Sequence, residues 1–270
     1  MKDKESDDNL KSEKSEEAQA SSGPDRKRHR GKSKVKRIIL LTLAAVFAAI
    51  LIGGGIFLLT YQHSGDTASH VMVSDGVVVI SRTDYGYFFD GPSDGQALIF
   101  YPGGRVDETA YAPLLHKLAE GGLDVCLVKM PLHFAFFGID KADQVMEMYD
   151  YDTWYIGGHS LGGAMAARYA SGHGDTLKGL VLLAAYTVDE IGDSQKVLLI
   201  RGSNDTVLNM KKYDEGRKLI PGNAQELVIE GGNHAQFGDY GTQRGDGEAT
   251  ISAEEQQKQT ADFILRELIP

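Results

Sequence analysis

Cysteine is nearly missing from this chain: Cys126 is the only one in 270 residues. That excludes an intrachain disulfide and any metal site built from several thiolates. Its setting, the apolar run LDVCLVKM, reads as a strand with a small buried side chain rather than as a reactive thiol. Proline is also scarce, with 7 residues against 32 glycines. That balance argues against a Pro-rich disordered protein and suits a turn-rich α/β or β domain. The length allows one domain with a full core plus a non-globular appendage, and not two full-sized domains.

Positive charge is what the larger part of the chain lacks. Residues 1–60 hold 12 of the 28 Lys and Arg but only 8 of the 38 Asp and Glu, a balance of +4, which leaves −14 on residues 61–270. So acidic a domain has no basic footprint to displace counterions from phosphates, which excludes nucleic acid as a partner.

Residues 1–25 are almost wholly charged or small and polar, with Leu10 the one large aliphatic residue. Nothing there offsets the entropy of ordering, so the segment reads as disordered. The basic run RKRHRGKSKVKR follows and closes a tail of residues 1–37. Ile38 to Thr60 is then a stretch of 23 residues without a charge and with two threonines as its only polar side chains. As a helix it would span about 34 Å, enough for a bilayer core of about 30 Å. The run is longer than the apolar part of a cleaved signal and has 37 residues before it, which favours a retained single-pass anchor in the cell membrane. Eight Lys and Arg stand just before the span and none after it until Arg82. This asymmetry predicts a cytoplasmic N-terminus and a domain on the outer face. Residues 61–70 read as a linker, and 71–270 as the folded domain.

Within that domain, short apolar runs alternate with helical patterns. VMVSDGVVVISR and DYGYFF suggest an opening hairpin; ALIFYP, DVCLVKM, TWYIGG, LKGLVLLAAY, KVLLIRG and ELVIE suggest buried strands. Helical patterns cover 108–121, 141–149, 161–171, 211–219 and 254–268. The fold class is therefore α/β, a mostly parallel twisted sheet with helices on both faces, with sites expected at the carboxyl ends of the strands.

Two segments match G-x-S-x-G, around Ser93 and around Ser160. The chemistry needs a sharp strand-to-helix turn that lifts the hydroxyl above the sheet. Ser160 follows an apolar strand and precedes LGGAMAARYA, whose small residues let helix and strand pack closely. Ser93 lies between Pro92 and Asp94, which is how a surface turn is written. Ser160 is accordingly the candidate nucleophile. A serine needs a base, and the base needs an acid to fix its tautomer. Of the eight histidines, His234 fits as base: it follows the strand ELVIE late in the chain, after Gly231 and Gly232. Asp205, at the end of KVLLIRGSND, fits as acid, with Asp189, Glu190 and Asp193 as the fallback. The oxyanion formed in acyl transfer needs two backbone N–H donors. Leu161, after the nucleophile, supplies one; Gly104 or Arg105 in the loop YPGGRVD supplies the other.

Taken in order, YPGGRVD, VKMP, GGHSLGG, RGSNDTV and EGGNHAQFGDYG resemble the α/β-hydrolase superfamily, and within it the compact dienelactone-hydrolase-like fold-5 branch. The resemblance covers about residues 95–268 and implies an α/β-hydrolase catalytic domain with Ser160, Asp205 and His234 as triad. Dienelactone hydrolases proper use cysteine where this chain has Ser160. The expected activity is hydrolysis of a small-molecule ester or thioester through an acyl-enzyme, without metal or organic cofactor. The alternatives are acyl transfer to an envelope acceptor and a non-catalytic binding protein on a hydrolase scaffold; the intact triad argues against the latter. Phe134, Phe136 and Phe137 are candidate walls of a small acyl pocket, with core packing as the competing role. Lys129, at a strand end, is either a contact for an anionic substrate or a solvated lysine. The loop GDYGTQRGDGE lacks the ligand spacing of a calcium site.

Overall fold

The computed structural model describes residues 25–92 and 95–269, with side chains from residue 34 onward other than Ile56, Leu58 and Leu59. The expected disorder of residues 1–24 and the turn at Ser93 lie outside the described residues. The chain divides into two units between Ile56 and Phe57. In the first, helix α1 begins at Asp25 and runs through the basic segment that the sequence assigned to the tail, its last turn reaching Leu59 in the second unit. Its residues Lys34–Gly55 are long and apolar enough to cross a membrane, with side chains exposed along the whole stretch up to Gly54.

The second unit is a mixed sheet of eight strands with the order β1-β2-β4-β3-β5-β6-β7-β8. The strands are β1 (Val79–Arg82), β2 (Gly86–Asp90), β3 (Gln96–Tyr101), β4 (Asp124–Val128), β5 (Thr153–His159), β6 (Leu177–Leu183), β7 (Lys196–Gly202) and β8 (Gln225–Ile229). The hairpin β1–β2 pairs antiparallel, β2 pairs antiparallel with β4, and every later pairing is parallel. Helices α2 (Asp66–Val71), α3 (Ala112–Glu120), α4 (Lys141–Met146), α5 (Leu161–Ser171), α6 (Met210–Gly216) and α7 (Ala253–Leu268) complete it. The architecture is α/β, a mostly parallel sheet with helices on both faces, as the sequence pattern implied.

Period-two alternation divides each strand between two cores. Leu98 and Phe100 of β3 join Leu114 and Leu118 of α3 and Phe263 and Ile264 of α7 on one face. Ile99 and Tyr101 join Ala166 and Ala170 of α5, Val145 of α4 and Tyr213 of α6 on the other. Each fully buried Leu, Ile or Phe contributes roughly 1.5–3 kcal/mol, so both faces of the central strands read as near-continuous apolar runs. Cys126 is buried in β4, and burial pushes its thiol up to about 12.

One expectation needs correcting. Residues 61–70 are part of the globular unit: Gln62 bridges to Val106, Gly65 donates to the Asp239 carbonyl, and α2 buries Ala68. Being polar and lacking apolar periodicity, the segment read as a linker. Its backbone hydrogen bonds go to loops distant in sequence, which a local pattern does not reveal.

Candidate active site

Five non-glycine residues among those described have positive φ: Arg105, Leu132, His133, Ser160 and Ala184. All lie in the connections leaving the carboxyl ends of β3, β4, β5 and β6. Such conformations cost on the order of 1–3 kcal/mol each, so strain is concentrated at one edge of the sheet. That edge is where open α/β sheets place their sites.

Ser160 sits between β5 and α5 with φ 52° and ψ −121°. Its N–H still donates to Leu183 on β6 at 2.9 Å, and its carbonyl accepts from Ala164 at 3.0 Å, so one residue makes the turn from strand to helix. The turn is this sharp because glycines flank it: a Cβ on Gly158 would stand 2.5 Å from the Tyr101 carbonyl oxygen, and one on Gly162 would stand 2.2 Å from the same atom.

The loops after β7 and β8 bring Asp205 and His234 together. His234 Nδ1 lies 2.8 Å from Asp205 Oδ2, with side chains 2% and 1% exposed. The other carboxylate oxygen accepts the N–H groups of Val207 and Leu208, both at 2.8 Å, and so locks the carboxylate plane. A carboxylate at Nδ1 selects the tautomer with the proton there and leaves Nε2 as a base. His234 Nε2 is buried and makes no hydrogen bond among the described residues. Burial removes competing water from that lone pair.

His159, next to Ser160, packs its ring 4.6 Å from that of His234. The Tyr111 hydroxyl holds His159 Nδ1 at 2.8 Å and accepts the Gly103 N–H at 3.0 Å. Burial, and secondarily the neighbouring His234, hold His159 well below the ordinary histidine range. It therefore stays neutral and does not repel positive charge developing on His234.

In the loop after β3, the Arg105 N–H donates to the His133 carbonyl at 2.7 Å. Arg105 is thus not a free oxyanion donor, a correction that the sequence could not supply because His133 comes from the next loop. Gly104 lies between the two committed amides and makes no hydrogen bond among the described residues. A Cβ there would be 2.8 Å from Leu161 Cδ2, so Gly104 and Leu161 are neighbours. A cavity of about 370 Å³ opens beside Gly104, lined among others by Thr60, Tyr61, Gln62, Arg105 and Arg244; Ser160, Leu161 and His234 are not among its lining residues.

Two substrate-contact expectations fare differently from the rest. The Lys129 ammonium is held 3.0 Å from the buried carboxylate of Glu108, which raises its pKa, so Lys129 is engaged rather than awaiting an anion. Phe134, Phe136 and Phe137 cluster with ring separations of 4.3–6.4 Å, but they are not among the residues lining the cavity beside Gly104. Their apolar run suggested a pocket or core, whereas two tight 3-10 turns, Pro131–His133 and Ala135–Phe137, turn Phe136 and Phe137 outward.

Other supporting residues were missed. Asp246 accepts the N–H groups of His234, Ala235 and Gly247 at 2.9–3.2 Å. Gln256 of α7 clamps Asn233 through both backbone groups, at 2.9 and 2.8 Å. The available signal for Gln256 was a glutamine on the apolar face of a helix; Asp246 was one acid among several in a polar loop.

The alpha/beta hydrolase family model matches residues 97–258. The chain belongs to the alpha/beta hydrolase family. No curated protein matches this hydrolase in sequence. Among solved structures it is similar to Est1E from Butyrivibrio proteoclasticus, at 15% identity over 72% of this chain and 100% of that one, with a TM-score of 0.52. It is also similar to the carboxylesterase CesB from Bacillus subtilis, at 11% identity over 76% and 95% with a TM-score of 0.51. TT1662 from Thermus thermophilus matches at 14% identity over 72% and 99%, with a TM-score of 0.50. At these identities the likeness shows the fold.

Proposed function

We propose that this hydrolase cleaves carboxylic esters or thioesters with Ser160 as nucleophile, His234 as general base and Asp205 as the acid that orients it. The observation that carries the reading is the buried Asp205–His234 pair, with its Nε2 unpartnered, packed against His159 at the strained turn that carries Ser160. Ser160 Oγ attacks the carbonyl carbon as its proton passes to His234 Nε2. The N–H groups of Leu161 and Gly104 receive the oxyanion. The carbonyl–oxygen or carbonyl–sulfur bond then breaks, and His234 returns the proton to the leaving alcohol or thiol. Water attacks the acyl-enzyme by the same route and releases the carboxylic acid. The carboxylesterase named among the structural neighbours supports an ester as the bond cleaved.

A fluorophosphonate probe tests the nucleophile: wild type is expected to label and Ser160→Ala is not. Equal labelling of the two proteins would overturn the assignment. In the same reading the apolar part of α1 anchors the chain in the cell membrane, with the basic residues at its N-terminal end in the cytoplasm and the hydrolase on the outer face. Protease shaving of intact cells is expected to remove the hydrolase unit; protection of that unit would reverse the orientation.

A further inference from the structure

At and beyond the C-terminal end of the apolar run stands a set of exposed aromatic side chains that the proposed chemistry does not use. Phe57 is 52% exposed, Phe136 46% and Phe137 55%, and Leu132 beside them is 52% exposed. The Phe57 and Phe134 rings stack at 6.4 Å, and Phe134 contacts both Phe136 and Phe137. Chain connectivity fixes what adjoins this patch. Phe57 is two residues beyond Gly55, where the span ends, so its Cα lies within roughly 7 Å of that end in any conformation. Were the span in a bilayer, Phe57 would lie near its surface, together with the Phe134 ring stacked on it.

The rim of the patch has the composition of a membrane interface. Tyr61 stacks on His133 at 3.9 Å, and the Arg105 guanidinium sits 4.3 Å from the centre of the Phe57 ring while donating to Thr60. Amphipathic rings and cations of this kind gather at the headgroup level. The same segment is bound to the oxyanion loop: the Gln62 N–H donates to the Arg105 carbonyl and the Asp107 N–H donates to the Gln62 carbonyl, both at 2.8 Å. Thr60, Tyr61 and Gln62 also wall the cavity beside Gly104. Thr60 is five residues from Gly55, which keeps its Cα within about 18 Å of the span's end.

From this continuity we infer that the Phe57–Phe134–Phe136–Phe137 surface rests in the interfacial layer of the bilayer. The substrate is then an amphiphilic ester that partitions into the membrane and enters the cavity at Gly104 from the lipid side. This deepens the serine-hydrolase reading and rests on it for the substrate, and on a spanning α1 for the bilayer.

The test uses the full chain in nanodiscs of palmitoyl-oleoyl phosphatidylcholine, labelled with bimane at Phe136→Cys or, as control, at the exposed Lys218→Cys; Cys126 is buried and does not compete. Nitroxide-bearing lipid is expected to quench the label at 136 at least fivefold more than that at 218, and iodide to quench it less. Free access of iodide at 136 overturns the membrane contact. Shielding from both quenchers, as a second copy on the patch would give, overturns it as well. For the substrate, wild type and Phe136→Ser/Phe137→Ser are compared on 4-methylumbelliferyl oleate in the nanodisc and on p-nitrophenyl acetate in water. The ratio of the two activities is expected to fall at least tenfold in the variant; a ratio within twofold of wild type overturns the lipid-side entry. Wild type that hydrolyses neither ester overturns the hydrolase reading and the substrate class with it, while the quenching still decides the membrane contact.

Discussion

The carboxyl edge of the sheet has two halves built on opposite terms. Around β7 and β8 a set of polar groups is paired and held, with His234 Nε2 left open: Asp205 against His234 and two amides, Asp246 against three amides, Gln256 against both backbone groups of Asn233. Around β3 and β4 the loops carry exposed phenylalanines and Leu132, and they are tied to residues 57–62 as well as to the core. The first arrangement suits chemistry, which needs groups held in one geometry in a dry setting. The second suits access, where apolar surface has to meet something outside the domain. In the proposed reading the base and its acid belong to the first half, and the surface offered to the membrane belongs to the second.

That division can be broken by measurement. The largest effect is expected at the proposed triad: Ser160→Ala is expected to lower kcat on the order of 10⁶-fold and Asp205→Asn on the order of 10⁴-fold, with unchanged circular dichroism. A tenfold loss or less in Asp205→Asn would move the acid elsewhere, with Asp189 the first candidate. Next comes the turn itself. Gly158→Ala is expected to destabilise by about 3 kcal/mol in a denaturant titration, because the new Cβ meets backbone atoms that cannot swing away. Unchanged stability would mean that β3 and α5 are packed less tightly than described.

The pH dependence of stability comes third. His159 is held neutral in the folded protein and takes up a proton near pH 6.5 when unfolded. The unfolded state thus binds more protons as pH falls below about 6.5, and stability drops by up to about 1.4 kcal/mol per pH unit until the folded-state pKa is reached. His159→Gln is expected to flatten the decline in melting temperature between pH 6.5 and 5; a parallel decline would assign the acid sensitivity to other groups. The smallest effect is expected at the access half's ion pair. Lys129→Met is expected to change the KM for an anionic short-chain ester relative to a neutral one by less than twofold, because Glu108 already holds the ammonium. A selective tenfold rise would restore Lys129 as a substrate contact.

The strands, the order of helices and the Asp205–His234 pairing were legible because each writes a local signal. Apolar runs bounded by turns marked the strands, and a small polar or glycine-rich loop after a late strand marked each member of the pair. Asp246, Gln256 and Glu108 gave no such signal, since what distinguishes them is the partner that folding brings, from 11 to 23 residues away or across two loops. The same limit explains Arg105, an available N–H on paper and a committed one once His133 folds against it.

By itself, then, the sequence determined the α/β architecture, the apolar run long enough to cross a bilayer and the strand-turn-helix setting of Ser160, because periodicity, length and glycine spacing act over a few residues. Tertiary structure decided which amide of the oxyanion loop is left over, and that Phe136 and Phe137 face outward beside residues 57–62. Each of those depends on loops converging from different strands, and hydrogen-bond partners and exposure exist only after they converge.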